Sequence, residues 1–401
     1  MSHPELLKAA ALLSGIGLAV LFRFLPNWRG YQFTAWILVA VTAGMLYPQY
    51  LLKIGDVDLR NKWLILFIVQ AVMFGMGTQM KLADFAGVAR MPWAVFVGVS
   101  GQFIIMPLVG WGLTRIFHFE PEIAAGVILI GACSAGLASN VMAYLAKANL
   151  ALSITMTSVT TMLAPILTPL WMKLLAGELV EVKAFNMMME IIKMVMVPIG
   201  AALLHDYLTF ASRRGRDTVY GFAALGVVWL GYILSGGGAA LRVSTSVEVF
   251  EWLIVVAFVL GAVVLGVLYH HATKQFPALP RLMPVLSMFG IVYFTMVTTA
   301  AGRDNLLRVG GLLFVAAALH NTFGYVFAYW LARLCKLDIA SCRTVAFEVG
   351  LQNGGMASGI AGSLGKLGTM GLAAAIFSPW MNISGSILAN YWRKHPPRQR
   401  E

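Results

Sequence analysis

Long apolar stretches follow one another through almost the whole chain, and they restrict what it can fold into. Each is close to the roughly 20 residues that an α-helix needs to cross the hydrocarbon core of a bilayer. Hydrophobic residues make up 59% of the 401 residues and charged residues only 11%, so no water-soluble domain fits between the stretches. The sequence therefore predicts an all-α polytopic membrane protein with about 13 spans, at 6–25, 32–52, 62–80, 92–117, 122–145, 150–176, 186–205, 218–236, 250–270, 282–301, 308–334, 342–363 and 367–392.

Positive charges lie mainly in alternate loops between the predicted spans. Loops rich in Lys and Arg stay in the cytoplasm. In the cell membrane this places the C-terminus on the cytoplasmic side and, with about 13 spans, the N-terminus on the outer side. The first span has no Ala-x-Ala cleavage pattern and is expected to be a retained helix. Because the charges are dispersed among loops, the net charge of +12 predicts no nucleic-acid partner. The loops expected in the cytoplasm contain Arg23 and Arg29, Lys81 and Arg90, Lys147, Arg213 to Arg216, Lys274 and Arg281, Arg333 to Arg343, and Arg393 to Arg400, whereas Lys53, Arg60, Arg303 and Arg308 run against the pattern.

Two spans contain residues that a lipid-facing helix would not carry. Small and polar residues interrupt the fifth span at 131–140 and the twelfth at 348–355, where Glu348 stands close to three glycines. An ionised Glu near the bilayer centre costs roughly 2.5–3.5 kcal/mol on insertion scales, and irregular backbone persists at that depth only around a cavity or bound ions. A pair of interrupted spans in two halves is typical of a secondary transporter. Close helix packing at the glycines is the alternative, but it leaves Glu348 unexplained.

Several motifs occur in order in and around these spans. They are Ala138-Ser139-Asn140-Val141-Met142, Tyr144-Leu145-Ala146, Ala151-Leu152-Ser153 with Thr157, Pro165 to Pro169, His320-Asn321-x-x-Gly324-Tyr325, Glu348-Val349-Gly350-x-Gln352-Asn353 and Asn382-Ile383-Ser384-Gly385-Ser386. In this order they resemble the bile acid:sodium symporter family. The resemblance implies a ten-helix fold of two inverted five-helix repeats, arranged as a panel domain and a core domain whose two discontinuous helices cross.

The resemblance covers about 32–206 and 281–394, and it divides the chain into segments. On this division, the first five-helix repeat is 32–176, and the second consists of 186–206 and 281–394. One extra N-terminal helix at 1–31, a two-helix insertion at 207–280 and a cytoplasmic tail at 395–401 complete the chain. The apolar insertion is expected to attach to the panel domain, and it favours a structural role or a homo-oligomer contact over a direct role in transport.

The resemblance also implies two sodium sites that share Glu348. Hydroxyl, amide, carbonyl and carboxylate oxygens are the ligands that hard cations prefer. Two sodium ions would neutralise Glu348 together with a monovalent anion, so sodium is expected to bind before or with the substrate, and one net positive charge is expected to move inward. Site 1 would consist of Ser139, Asn140, Ser153, Thr157 and Glu348, and site 2 of Gln102, Glu348, Gln352 and the backbone carbonyls of Val349 and Leu351.

Two of these residues have a local alternative. Ser153 and Thr157 are four residues apart, so one helix face presents both hydroxyls. Alone, each hydroxyl could instead donate back to the carbonyl four residues earlier in its own helix. The family resemblance, rather than this spacing, assigns them to sodium.

The expected substrate residues are Leu137, Ala138, Asn140 and Asn353. Family members commonly read Cys-Pro-Gly-Gly-Thr before the Ala-Ser-Asn motif, whereas this chain has Ser134-Ala135-Gly136-Leu137 after Cys133. The proline and the threonine hydroxyl are both missing. The resemblance implies an organic anion, either like a bile acid or a small keto or hydroxy acid, and the altered stretch does not choose between them.

Other functions are also compatible with the residues. A carrier of the same fold could instead couple transport of the anion to protons that bind Glu348. It could also carry the anion without coupling to any ion. Gly98-Val99-Ser100-Gly101 fits the Gly-x-Ser-Gly pattern of intramembrane serine proteases, with His320 as a partner, although in the resemblance these residues only lead into Gln102. The sequence contains no His-Glu-x-x-His, Cys-x-x-Cys or phosphate-loop pattern, which leaves a metal or nucleotide enzyme without sequence support. The prediction is a transporter rather than an enzyme.

Overall fold

Helices account for almost all of the described chain. The computed structural model describes residues 3–25 and 31–395, and the predicted tail residues 396–401 lie outside them. In order, the α-helices are α1 (His3–Phe24), α2 (Gln32–Leu46), α3 (Pro48–Leu51), α4 (Lys62–Gly77), α5 (Gly87–Arg90), α6 (Pro92–Phe117), α7 (Pro121–Ala132), α8 (Leu137–Leu145), α9 (Leu150–Ala176), α10 (Ala184–Ile191), α11 (Val197–Phe210), α12 (Arg213–Tyr232), α13 (Gly238–Ser244), α14 (Val247–Gln275), α15 (Leu279–Ala301), α16 (Arg303–Leu334), α17 (Ile339–Gly350), α18 (Gly354–Ser363) and α19 (Leu372–Lys394). The other elements are the 3-10 segment Leu82–Ala86, the π-helical segments Ile192–Met196 and Ile233–Gly237, and the antiparallel strands β1 (Lys53–Ile54) and β2 (Val57–Asp58).

The long helices confirm the predicted all-α membrane class. Within residues 3–25 and 31–395, nine helices are long and apolar enough to cross a bilayer, and a tenth is obtained if α4 and Leu82–Arg90, bent by 67°, count as one span. Four predicted spans are shorter or interrupted. Of these, 32–52 forms α2 and α3, 62–80 forms α4, 122–145 forms α7 and α8, and 342–363 forms α17 and α18.

Local sequence explains several helix boundaries. Asn61 begins α4 by accepting a hydrogen bond from the Trp63 amide at 2.9 Å, and Asp338 begins α17 in the same way with the Ser341 amide at 3.0 Å. The predicted span 218–236 proves longer, because the helical path continues from α12 to the end of α13. Gly236 has a φ of 105°, a conformation that favours glycine. This glycine therefore bends a continuing helix.

The helices pack as two groups. The α4 group consists of α2, α4, α11 and α15, in which α15 packs against α2 and α4, and α11 packs against α4. The crossing group consists of α6 to α9 and α16 to α19. The inserted helices lie beside the α4 group, because α14 packs along α11 and α12 packs along α14.

The two groups approach each other closely where α18 lies against α4. A Cβ atom added at Gly359 would lie 2.6 Å from Cγ2 of Val69, and one at Gly362 would lie 2.9 Å from Cγ2 of Ile65. Small residues allow this separation, since any larger side chain would force the helices apart.

Candidate functional site

Two helix breaks meet in the crossing group. The first lies between α7 and α8 and the second between α17 and α18, which confirms the predicted interruption of the fifth and twelfth spans. Ala135 of the first break pairs with Gln352 of the second as an isolated β-bridge. The Gly136 amide donates to the Leu351 carbonyl at 3.1 Å, and the Asn353 amide donates to the Ser134 carbonyl at 2.9 Å. Each break thus satisfies backbone groups of the other at a depth where water is scarce.

Glycine allows close packing at both breaks. A Cβ atom added at Gly136 would lie 2.9 Å from the Gln352 carbonyl oxygen, and one at Gly350 would lie 2.2 Å from the Tyr325 ring. The first break forms without the family's common proline. Cys133, the residue before Ser134, has φ −75° and ψ 166°, an extended conformation of the kind that residues preceding proline adopt.

Glu348 lies at the end of α17, completely buried. Its Oε1 accepts a hydrogen bond from Ser153 Oγ at 2.5 Å, and its Oε2 accepts one from Thr157 Oγ1 at 2.8 Å. Both hydroxyl groups also lie near Asn140 Oδ1, at 2.8 Å and 3.3 Å. The structure therefore brings four of the five residues predicted for site 1 into direct contact.

Neighbouring hydroxyls on α9 show that this arrangement is specific to two positions. Thr155 and Ser158 donate to carbonyls four residues earlier in their own helix, at 2.9 Å each. Ser153 and Thr157 instead donate to Glu348. They do not donate to the carbonyl four residues earlier in their own helix, which was the local alternative. The fifth predicted residue, Ser139, is completely buried and donates to the Gly136 carbonyl at 2.7 Å.

The residues predicted for site 2 form a second buried cluster. Nε2 of Gln102 donates to Oε1 of Gln352 and to the Cys133 carbonyl, both at 2.9 Å. Nε2 of Gln352 donates to the Val349 carbonyl at 2.6 Å. Within the described part of the chain, the buried Oε1 of Gln102 has no hydrogen-bond partner. A buried amide oxygen without a donor is unfavourable, and it is a suitable ligand for a hard cation.

A cavity of about 470 Å³ adjoins both clusters. Its walls come from α2, α4 and α15 on one side and from α8, α9, α19 and the 352–355 segment on the other. The four predicted substrate residues, Leu137, Ala138, Asn140 and Asn353, all line it, together with Thr157 and Gln352. Of the described residues that line this cavity, none is charged.

Two helix N-termini face the cavity. Residues 136–138 begin α8 and residues 353–355 begin α18, and both segments line the wall. Asn353 caps α18 by accepting a hydrogen bond from the Met356 amide at 3.0 Å. Its Nδ2 is buried, and among the described residues it has no partner. Free donors at helix N-termini favour an anionic group.

Sequence reasoning missed the methionines in the apolar wall of the cavity. Methionine can face lipid, pack between helices or line a cavity. The chain has 22 methionines, so their positions in the sequence do not indicate which of them line a cavity. Five line the cavity, namely Met76, Met80, Met142, Met288 and Met381.

The structure gives His320 a partner other than Ser100. His320 is completely buried, and its Nε2 bonds with the Met106 carbonyl at 2.9 Å. Ser100 lies within α6. All three cysteines are free thiols, and Cys133 and Cys342 are buried.

Comparisons with known proteins agree with this geometry. The profile of the Sodium Bile acid symporter family matches residues 64–242. An "Uncharacterized sodium-dependent transporter YocS" of Bacillus subtilis is 32% identical over 93% of this chain and 94% of its own length. A "Probable sodium/metabolite cotransporter BASS1, chloroplastic" of Arabidopsis thaliana is 26% identical over 92% of this chain and 75% of its own length. An "Ileal sodium/bile acid cotransporter" of Homo sapiens is 28% identical over 71% and 65%, respectively.

These relatives are transporters and not enzymes, which confirms the predicted class and leaves the protease without support. The first of them matches nearly the full length of both chains. With the paired helix breaks, this similarity shows that the chain belongs to the sodium bile acid symporter family.

Proposed function

We propose that this protein is a sodium-coupled symporter that carries an organic anion across the cell membrane by alternating access. The observation that carries the proposal is the buried Glu348, whose carboxylate contacts Ser153 and Thr157 beside the cavity. Its described hydrogen-bond partners are neutral hydroxyls, so a bound cation would supply the missing positive charge. Relatives named as sodium-dependent transporters or cotransporters support sodium as that cation.

The proposed stoichiometry is two sodium ions for each substrate molecule. Site 1 uses the oxygens around Glu348, including Ser139 and Asn140. Site 2 uses the unpartnered Gln102 Oε1 with Gln352 and the carbonyls of Val349 and Leu351. Sodium is cargo here, and both ions are released with the anion.

The proposed topology has about 13 spans, with the C-terminus in the cytoplasm and the N-terminus outside. The α4 group, with its inserted helices, acts as the panel domain and the crossing group as the core domain. The two inverted repeats are 32–176 and 186–206 with 281–394. Support comes from the two helix breaks, which fall in corresponding parts of these repeats.

In this orientation the cavity faces the cytoplasm. Phe33 lies in the first turn of α2 and Pro284 near the start of α15, and both helix starts would lie on the inner side. On the outer side, the close contact of α18 with α4 shuts the path. The protein therefore adopts an inward-facing state.

The cavity indicates how the anion is held. Because no described lining residue is charged, the negative group binds the N-termini of α8 and α18, the free Nδ2 of Asn353, and the sodium ions. The five methionines offer an adaptable apolar surface to the rest of the molecule. The substrate is thus an organic anion with an apolar part.

A ligand screen followed by uptake measurements tests the proposal. Bile acids, keto acids and hydroxy acids are screened by thermal shift in sodium chloride and in choline chloride, since a ligand that binds the native state raises its melting temperature. Uptake of each hit into proteoliposomes is then measured with and without a sodium gradient. We expect Glu348→Gln to abolish gradient-driven uptake. Glu178→Gln, in a loop where the Glu178 side chain is 88% exposed, is expected to have no effect.

The outcomes separate the alternatives. Uptake that persists undiminished without sodium contradicts the proposal. If such uptake follows a pH gradient and is still lost in Glu348→Gln, the carrier is proton-coupled. If it follows neither gradient, the carrier is uncoupled.

A further inference from the structure

Asn321 lies in α16, outside both sets of proposed ligands, and it joins three helices. The residue is completely buried. Its Nδ2 donates to the carbonyl of Gly350, the last residue of α17, at 2.8 Å. Its Oδ1 accepts a hydrogen bond from Ser384 Oγ of α19 at 2.5 Å. Tyr325, one turn further along α16, places its hydroxyl 3.3 Å from the same Ser384 oxygen.

The Gly350 carbonyl needs a partner because α17 ends there. The last four carbonyls of a helix have no donor within the helix, and water cannot serve them freely inside a membrane protein. The side chain of Asn321 supplies the donor. Because adjacent peptide planes share a Cα atom, fixing the Gly350 carbonyl also restricts how the carbonyls of Val349 and Leu351 can turn.

Close packing leaves little room for the Gly350 peptide to move. A Cβ atom added at Gly324 would lie 3.1 Å from the Cα of Gly350. A Cβ atom added at Gly350 would lie 2.2 Å from the ring of Tyr325. The backbone of α16 therefore lies directly against the end of α17, at the start of the break.

The same helix also supports the other side of proposed site 2. His320, next to Asn321, bonds with the Met106 carbonyl of α6 at 2.9 Å. Gln102 lies one turn before Met106 on α6, so its side chain projects from the same face of that helix. Helix α16 thus holds both the helix that carries Gln102 and the peptide next to the ligand carbonyls.

We propose that Asn321, oriented by Ser384, is a positioning residue for sodium site 2. It holds the Gly350 peptide so that the carbonyls of Val349 and Leu351 face the ion, without touching ion or substrate itself. This inference rests on the proposed sodium-coupled function. Partners that orient metal ligands typically contribute 10- to 100-fold to metal affinity, and we expect the lower end of that range for a hard cation held by several oxygens.

Sodium itself is the probe in the test. The melting temperature of the purified full-length protein is titrated with sodium chloride, with choline chloride keeping the ionic strength constant. We expect Asn321→Ala to raise the half-saturating sodium concentration about tenfold and to lower the Hill coefficient towards one, because site 1 keeps all its ligands. Ser384→Ala is expected to act in the same direction, and Ser384→Thr, which keeps the hydroxyl, is expected to restore the wild-type values.

Asn305→Ala is the matched control. Asn305 also lies on α16, and its Nδ2 donates to the Gly368 carbonyl at 3.0 Å, away from the break. We expect this variant to lower the melting temperature without sodium but to leave the half-saturating concentration unchanged. If Asn321→Ala behaves like this control, its role is purely structural and the inference is wrong.

Two further results are decisive. If Asn321→Ala does not fold, Ser384→Ala decides, and an unchanged sodium titration of that variant overturns the inference. If the wild-type protein shows no sodium-dependent shift, the proposed sodium sites fail first, and the positioning role fails with them. If the wild-type protein shows a sodium-dependent shift and Asn321→Ala and Ser384→Ala titrate like it, the sodium sites stand and only the positioning role is wrong.

Discussion

At the scale of single residues, the sequence pointed to polar side chains that the structure brings together. Polar side chains inside apolar spans, such as Glu348 and Asn140, carry a strong signal because each needs a reason to be there. The family resemblance then supplied partners that are distant in sequence. Asn321 belongs to the motif His320-Asn321-x-x-Gly324-Tyr325. Its contact with Gly350 could be identified only in the structure, because the two residues lie on different helices.

Ser153 offers a test at this scale. We expect Ser153→Ala to raise the sodium concentration that gives half-maximal uptake about tenfold or more, because a hydrogen bond to a buried charged group contributes roughly 1.5–3 kcal/mol. Ser158→Ala is the control, since Ser158 is equally buried on α9 but donates to the Ile154 carbonyl. Equal effects of the two variants on uptake would argue against a sodium role for Ser153.

At the scale of elements, the breaks were predictable and the packing between helices was not. Glycines and small polar residues mark a weak point in an apolar span, so the interruptions at 131–140 and 348–355 could be located. Where a helix bends and continues is harder to predict, as Gly236 shows. The contact of α18 with α4 depends on which helices are neighbours in space, and periodicity within one span does not contain that information.

The end of α7 gives a prediction about proline. Among the described hydrogen bonds the Ser134 amide is not a donor, and Cys133 already has a suitable extended conformation. We therefore expect Ser134→Pro to fold with a melting temperature within a few degrees of wild type and to keep sodium-dependent uptake. Ala143→Pro, inside α8, is expected to abolish folding. Loss of folding in Ser134→Pro would contradict this account of the break.

The contact between α18 and α4 gives a prediction about gating. Gly359→Val places atoms where Val69 already lies, so we expect it to weaken closure of the outer side. The readout is labelling of an introduced Ile65→Cys by a membrane-impermeant maleimide added from outside, which should increase. Gly311→Val is the control, because an added Cβ at Gly311 meets nothing within 4 Å. Unchanged labelling would mean that this contact does not close the path.

At the scale of the whole molecule, the proposed orientation rests on the positive loops. Most Lys- and Arg-rich loops would lie on the side to which the cavity opens. The inserted helices were expected to attach to the panel domain, and in the structure α14 packs along α11. Their partner helix depends on a three-dimensional contact, which the sequence alone does not specify.

Charge balance over the transport cycle gives a prediction at this scale. At the proposed stoichiometry, two sodium ions with a monovalent anion would move one net positive charge inward, and about 2.3 kcal/mol would be available per 100 mV. We expect a potential of about 100 mV, negative inside, to raise the accumulation ratio up to roughly 50-fold in proteoliposomes clamped with valinomycin and potassium. The opposite potential serves as the control and should lower it. An accumulation ratio that is the same at both potentials would indicate one sodium ion per anion.

The backbone hydrogen bonds between the two breaks have an evolutionary consequence. Gly136 with Leu351, and Asn353 with Ser134, are joined through main-chain atoms, which every residue except proline offers as both donor and acceptor. Side chains at Ser134 and Leu137 can therefore drift between lineages without dismantling the junction. Leu137 also lines the cavity, so a change there is expected to alter the proposed cargo while the junction stays intact, and a chain can diverge in cargo long before it diverges in architecture.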